Sequence, residues 1–213
     1  MVVLNATDQI DGKSYADMVA QWWGVFYGIS LKTNPALSDK TGTLQPSGAQ
    51  SGNTVFLFGT GGDSTKRTVN LKKGQFVFAP LVNGSNWYIK GDTCDPTYIP
   101  AKGQTDIDFL KSGISAPYDA PVSLVATLDG TTIYPDLKKQ RVQTAIFDVL
   151  VHPDYTAKNC DWRPKKAICY SDGYWVGFKP TVGTHRFVLA GKIKYDAQNG
   201  FGNQVIYTLN VTE

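Results

Sequence analysis

The sequence predicts a mainly β protein: an antiparallel β-sandwich, of jelly-roll or immunoglobulin-like kind, with one amphipathic helix near its N-terminus. Three observations carry this expectation. From Val55 onward, short apolar runs alternate with turn signals rich in glycine, asparagine and proline. Asp129-Gly130 stands between two strand-like runs, and both residues tolerate the positive φ that a two-residue hairpin requires. Strands and helices do not alternate, which weighs against a parallel α/β sheet. The 213 residues, 42% hydrophobic and 18% charged, suit one domain over 1–213 with a sizeable core.

Residues 13–29 read as the helix. Ser14 is a good N-cap, and Asp17 three residues on completes a capping-box pattern. Tyr15, Met18, Val19, Trp22, Phe26 and Ile29 recur at the helical period, with Trp22 in the buried stripe and Trp23 flanking it. Gly28 and Asn34-Pro35 end the helix. Residues 30–53 form a long polar loop of the kind that tends to be functional or mobile.

The first β runs are 55–58, 67–71 and 75–82, with Gly59 to Asp63 and Lys72-Lys73-Gly74 as turns. Residues 91–120 break the pattern with six glycines and prolines, although Thr105 could cap a short helix over Asp106 to Lys111. Strands follow over 122–128, 131–134, 141–151, 173–179, 184–193 and 203–211.

Net charge is +3, far below the clustered excess of a nucleic-acid footprint, and no apolar run approaches the ~18 residues of a bilayer span. No nucleic-acid partner and no membrane span are therefore expected; the oligomeric state is left open. The opening residues Met1 to Asn5 are too short and too soon polar for a signal peptide, so an exported form would be the mature one. Of three cysteines, Cys160 and Cys169 flank a short loop. A bridge between them would contribute roughly 2.5 kcal/mol in the chain-entropy model. The alternative is three unpaired thiols in a reducing compartment.

Several segments in order carry a resemblance: Gly12-Lys13-Ser14-Tyr15-Ala16 into Gln21-Trp22-Trp23; Gly74-Gln75-Phe76-Val77-Phe78-Ala79-Pro80-Leu81-Val82-Asn83; Arg141-Val142-Gln143-Thr144; Asp172-Gly173-Tyr174-Trp175-Val176; Gly183-Thr184-His185. In this order the chain resembles a family of small, uncharacterised, secreted bacterial proteins. The resemblance implies a periplasmic or extracellular location and no particular reaction.

Chemistry-bearing patterns are sparse. His152 and His185 are the two histidines, with no metal-ligand spacing, so neither a metal nor a cofactor is expected. His185 reads as a corner residue bonding a loop backbone. Gly-x-Ser-x-Gly is absent, and Gly59-Thr60-Gly61-Gly62 lacks the Lys-Ser/Thr of a phosphate loop. Cys94 sits between Asp92 and Asp95, which disfavour its thiolate. Glu213 is the sole glutamate, and the aspartates fall mostly in turns, with Asp148 an exception inside an apolar run.

Aromatics make up 12% of the chain, and Trp87, Tyr98 and Trp162 fall in or beside loops. The expected recognition surface is Trp162 with Arg163, Lys165 and Lys166, joined by Trp87 and Tyr98, and suited to an anionic glycan or an acidic protein patch. The function expected is non-enzymatic: an exported domain for surface binding or assembly. The alternative is an extracellular polysaccharide hydrolase using paired aspartates, which would stand roughly 5–10 Å apart.

Overall fold

The computed structural model describes residues 1–39, 41–43, 50–92, 99–156, 164–196 and 198–213, with the backbone only at 50 and 51. Its strands are β1 (Val2–Leu4), β2 (Gln9–Ile10), β3 (Lys13–Ser14), β4 (Gln50–Ser51), β5 (Thr54–Phe56), β6 (Ser64–Lys72) and β7 (Phe76–Tyr88). Then come β8 (Ser123–Leu128), β9 (Thr131–Thr132), β10 (Arg141–Gln143), β11 (Phe147–Val151), β12 (Lys165–Lys179), β13 (Gly183–Lys194) and β14 (Gly200–Thr212). The helices are α1 (Tyr15–Gly28), α2 (Pro35–Ser38) and α3 (Asp106–Ser112).

The protein is mainly β and forms a β-sandwich with a short N-terminal helix. The first sheet runs β4-β5-β7-β12, and β11, β10 and β1 line up in succession along the far edge of β12. The second sheet runs β6-β14-β13-β8-β9. Most neighbours are antiparallel, but β5 joins β7 and β14 joins β6 in parallel. The Asp-Gly hairpin forms between β8 and β9, with Asp129 at φ 52° and Gly130 at φ 82°.

Side-chain alternation in the first sheet creates two cores. Val77, Ala79, Leu81, Tyr174, Val176 and Phe178 point toward the second sheet, where Phe187, Leu189, Val205, Tyr207 and Leu209 meet them. Phe56, Phe58, Phe78, Cys169 and Trp175 point the other way, onto α1. Pro80 sits inside β7, where it cannot donate to a ladder, and the β7–β12 register shifts there, between Tyr174 and Trp175. The molecule is thus three layers deep: helix, first sheet, second sheet.

Helix α1 begins where the capping box places it. Ser14 Oγ accepts the Asp17 N–H, and the Asp17 carboxylate accepts the Ser14 N–H. Trp22 is 2% exposed; it stacks on Phe26 and packs against Phe58 and, edge-on, Trp175, with ring centroids 5.1–5.3 Å apart. Its indole N–H donates to the Leu57 carbonyl at 2.8 Å. The buried stripe is wider than its period suggests. Trp23 is also buried, donating to Ser171 Oγ at 2.7 Å, and Tyr27 stacks on it.

The segment 30–53 contains more structure than a loop. Asn34 caps α2, and Asp39 beyond it is buried beside Arg67 of β6. The Arg67 Nε stands 3.3 Å from Asp39 Oδ2, both side chains fully buried; the pair is ionic, without hydrogen-bond alignment. The same guanidinium donates to the carbonyls of Phe58, Gly59 and Pro35 and to Tyr207 Oη.

The motif residues turn out to hold these elements together. Arg141 and Gln143 on β10 both donate to the fully buried Asp172 on β12, Arg141 through two nitrogens at 2.9 and 2.8 Å. Gly177 lies so close beneath Tyr15 that a Cβ would stand 2.6 Å from its hydroxyl. Trp22→Ala removes the side chain around which the helix layer packs. It is expected to cost about 3–5 kcal/mol in urea unfolding.

Candidate functional site

Three of the four broad sheet faces are covered: α1 lies on one, and the two sheets cover each other. The outer face of the second sheet has no layer above it among the described residues. The strand period of two decides what stands there. In β6 the pattern alternates strictly, sending Ser64, Lys66, Thr68, Asn70 and Lys72 outward. In β13 the outward residues include Thr184, Arg186, Val188, Ala190, Lys192 and Lys194, and in β14 they include Gln204, Ile206, Thr208 and Asn210.

This face has an apolar centre line and a charged surround. Val188 pairs with Ile206 on one side and Thr127 on the other, and Ala190 pairs with Val125. Around them Lys66, Arg186, Lys192 and Lys194 are exposed, and none forms an ion pair with a carboxylate among the described residues. Two shallow depressions lie along it. One, of about 400 Å³, is lined by Lys66, Asp129, Thr184, His185, Arg186, Ile206 and Thr208. The other, of about 260 Å³, includes Asp63, Ser64, Ser123, Lys192 and Gln204. Arg186 and Lys192 are six residues apart on one strand, hence about 20 Å.

The wall of the larger depression is fixed by His185. Its Nδ1 stands 2.7 Å from Asp129 Oδ2, and its Nε2 stands 2.9 Å from the Thr181 carbonyl. A neutral imidazole donates to one of these acceptors at a time, an imidazolium to both. The expected corner role of His185 is what the geometry shows. Asp129 also accepts the Arg186 N–H at 2.7 Å, and these bonds from His185 and Arg186 hold its carboxyl below the usual carboxylate range. Asp129 therefore borders the depression as a carboxylate held in place by His185 and the Arg186 N–H.

Only part of the surface expected from sequence falls among the described residues. Trp162, Arg163, Tyr98, Cys160 and Cys94 lie outside the described residues. Trp87 sits at the end of β7 beside the following loop, half-buried on the helix side and edge-on to Tyr27 at 5.8 Å. Lys165 Nζ is 3.0 Å from Asp92, and Lys166 Nζ is 2.8 Å from Asp148. The two described cations of the three expected are thus already matched by a carboxylate. Asp148 faces solvent in this pair.

The Cys160–Cys169 bridge gains no support from its described half. Cys169 is a free thiol, fully buried in β12 between the register partners Phe147 and Trp87. Burial pushes this thiol up to about 12, against a smaller opposing effect from Ser85. The cations of the candidate face are scattered along the sequence, whereas Lys165 and Lys166 are adjacent. The useful signal was alternation: Lys66 within β6, and Arg186, Lys192 and Lys194 within β13, share one face through even spacing.

Among the described residues, Asp119 and Asp172 converge on Arg141, with Asp119 2.7 Å from Nη1 and Asp172 2.8 Å from Nη2. The guanidinium stands between them, so the pair is an anchor for the strand junction. Comparison with protein-family models, with curated proteins and with solved structures gave no match.

Two measurements check this description. Native Cys169 is expected to resist iodoacetamide because its thiolate is scarce and unreachable, and to react once urea unfolds the chain; peptide mass spectrometry reads both. The lowered Asp129 carboxyl contributes stability that is present above its unfolded value, about 3.9, and lost as pH falls through its lower folded value. Thermal melts from pH ~5 to ~2.5 should therefore fall less steeply for Asp129→Asn than for the parent protein.

Proposed function

We propose that this chain is an exported, non-enzymatic binding domain that engages a surface polymer or partner across the outer face of its second sheet. One observation carries the reading. Among the described residues that face is a broad, shallow, uncovered surface whose exposed cations Lys66, Arg186, Lys192 and Lys194 have no carboxylate partners, whereas Arg141, Lys165 and Lys166 are each paired. Unpaired like charges on a rigid sheet cost the protein self-repulsion, and a ligand of opposite charge relieves it. The export part of the proposal rests on the resemblance of the ordered sequence motifs to a family of small secreted bacterial proteins.

Five aspartates are unsuited to the acid role that hydrolysis would need. A glycosidase needs one carboxyl raised toward neutrality as proton donor. Asp17, Asp106, Asp129, Asp154 and Asp196 are all shifted down, each held as an anion mainly by hydrogen bonds.

The test is retention on immobilised cell-surface polymers. The parent protein should be retained and Lys66→Glu/Arg186→Glu should elute early, while reducing-sugar release from the same polymers stays at background for both. Sugar release that follows protein concentration would replace this reading with the hydrolase.

A further inference from the structure

Resting on the reading of the bare face as the binding surface, we infer that its ligand is an extended anionic polysaccharide, bearing carboxylate or sulfate groups on a hydroxyl-rich chain. Charge is the first argument. Among the described residues Lys66, Arg186, Lys192 and Lys194 are exposed without carboxylate partners and outnumber the two acids beside them, Asp129, bonded to His185 and to the Arg186 N–H, and Asp63 in the lining of the second depression. Such a face attracts a polyanion and repels a second copy of itself. An isologous pairing would set these same four cations against one another.

Shape is the second argument. The depressions are shallow and follow one another along β13 and β14, with Arg186 bordering the first and Lys192 the second. Ionic posts about 20 Å apart along a strand suit a linear chain crossing both rather than a compact small molecule, which needs an enclosing pocket.

The side chains between the posts are the third argument. Thr184 and Thr208 line the first depression, and Ser64, Ser123 and Gln204 line the second. Short hydroxyls and an amide both donate and accept, as sugar hydroxyls do. No Phe, Tyr or Trp points outward from β6, β8, β13 or β14. The face therefore lacks the stacking platform of single-stranded nucleic acid and the aromatic anchors of a protein interface.

Isothermal titration with defined probes tests this. The probes are polygalacturonate, dextran sulfate, neutral dextran, poly-glutamate and a single-stranded oligonucleotide. At least one of the two anionic polysaccharides should bind, and comparison of the two separates carboxylate from sulfate recognition. Neutral dextran should give no heat. Binding should weaken steeply between ~0.05 and ~0.5 M NaCl. It should fall by roughly tenfold or more in Lys66→Glu/Arg186→Glu and again in Lys192→Glu/Lys194→Glu. These side chains are exposed, and unchanged near-ultraviolet circular dichroism verifies the fold of each variant. Poly-glutamate or the oligonucleotide binding as tightly as either polysaccharide, with the same sensitivity to the variants, would overturn the polysaccharide assignment and leave the face as the binding surface. Binding of every probe unaltered by all four substitutions, or no binding at all, would overturn the assignment and the face together.

Discussion

The pair β7–β12 carries large apolar side chains on both faces: Phe78 and Trp175 on one, Val77, Val176 and Phe178 on the other. A sheet of this kind cannot leave either face in water. One face takes α1, the other takes the second sheet, and each cover is apolar on one side alone. The helix turns its polar residues outward. The second sheet does the same, but its outward side is a five-stranded array rather than a narrow ridge. The candidate site is thus a by-product of layering: the outermost sheet face is where polar and cationic residues can be displayed in fixed register.

Arg67 links the layers. It enters the sandwich from β6 in the second sheet, yet its donors reach Phe58 and Gly59 beyond β5, Pro35 in α2, and Tyr207 in β14. Asp39 supplies the opposing charge. A guanidinium buried without these partners would cost several kcal/mol. The segment after α1 is therefore fixed against the sandwich edge by a residue from the opposite sheet, which explains why a stretch that reads as a polar loop contains buried residues.

Local signals were legible where the chain makes its decisions locally. The capping box of Ser14 and Asp17, the Trp22–Phe26 stripe, the Thr105 cap of α3 and the Asp129-Gly130 hairpin all depend on residues within a few positions of one another. What depended on distant partners was not legible. The parallel pairing of β6 with β14, the burial of Trp23 against Ser171 and the ion pair of Arg67 with Asp39 each join segments that share no local pattern. The candidate face illustrates the same divide. Lys165 and Lys166 look like a basic patch until Asp92 and Asp148 are placed beside them, whereas Lys66 and Arg186 look isolated until two strands are set side by side.

The position of β14 has a consequence for how the molecule forms. It is an interior strand, seated between β6 and β13, and its pairing with β6 joins residues 140 apart, as at Asn70 and Asn210. Closing so long a loop is entropically costly before any contact repays it, so assembly of the second sheet should be slow. Until β14 arrives, β6 has no described strand neighbour to hydrogen-bond, and Val69 and Leu71 lack their cover. Such an intermediate exposes both an open edge and apolar side chains, the combination most prone to pairing with another chain. The exposed lysines of β6, Lys66 and Lys72, place like charges on that open edge, and such charges disfavour edge-to-edge pairing between unfinished molecules.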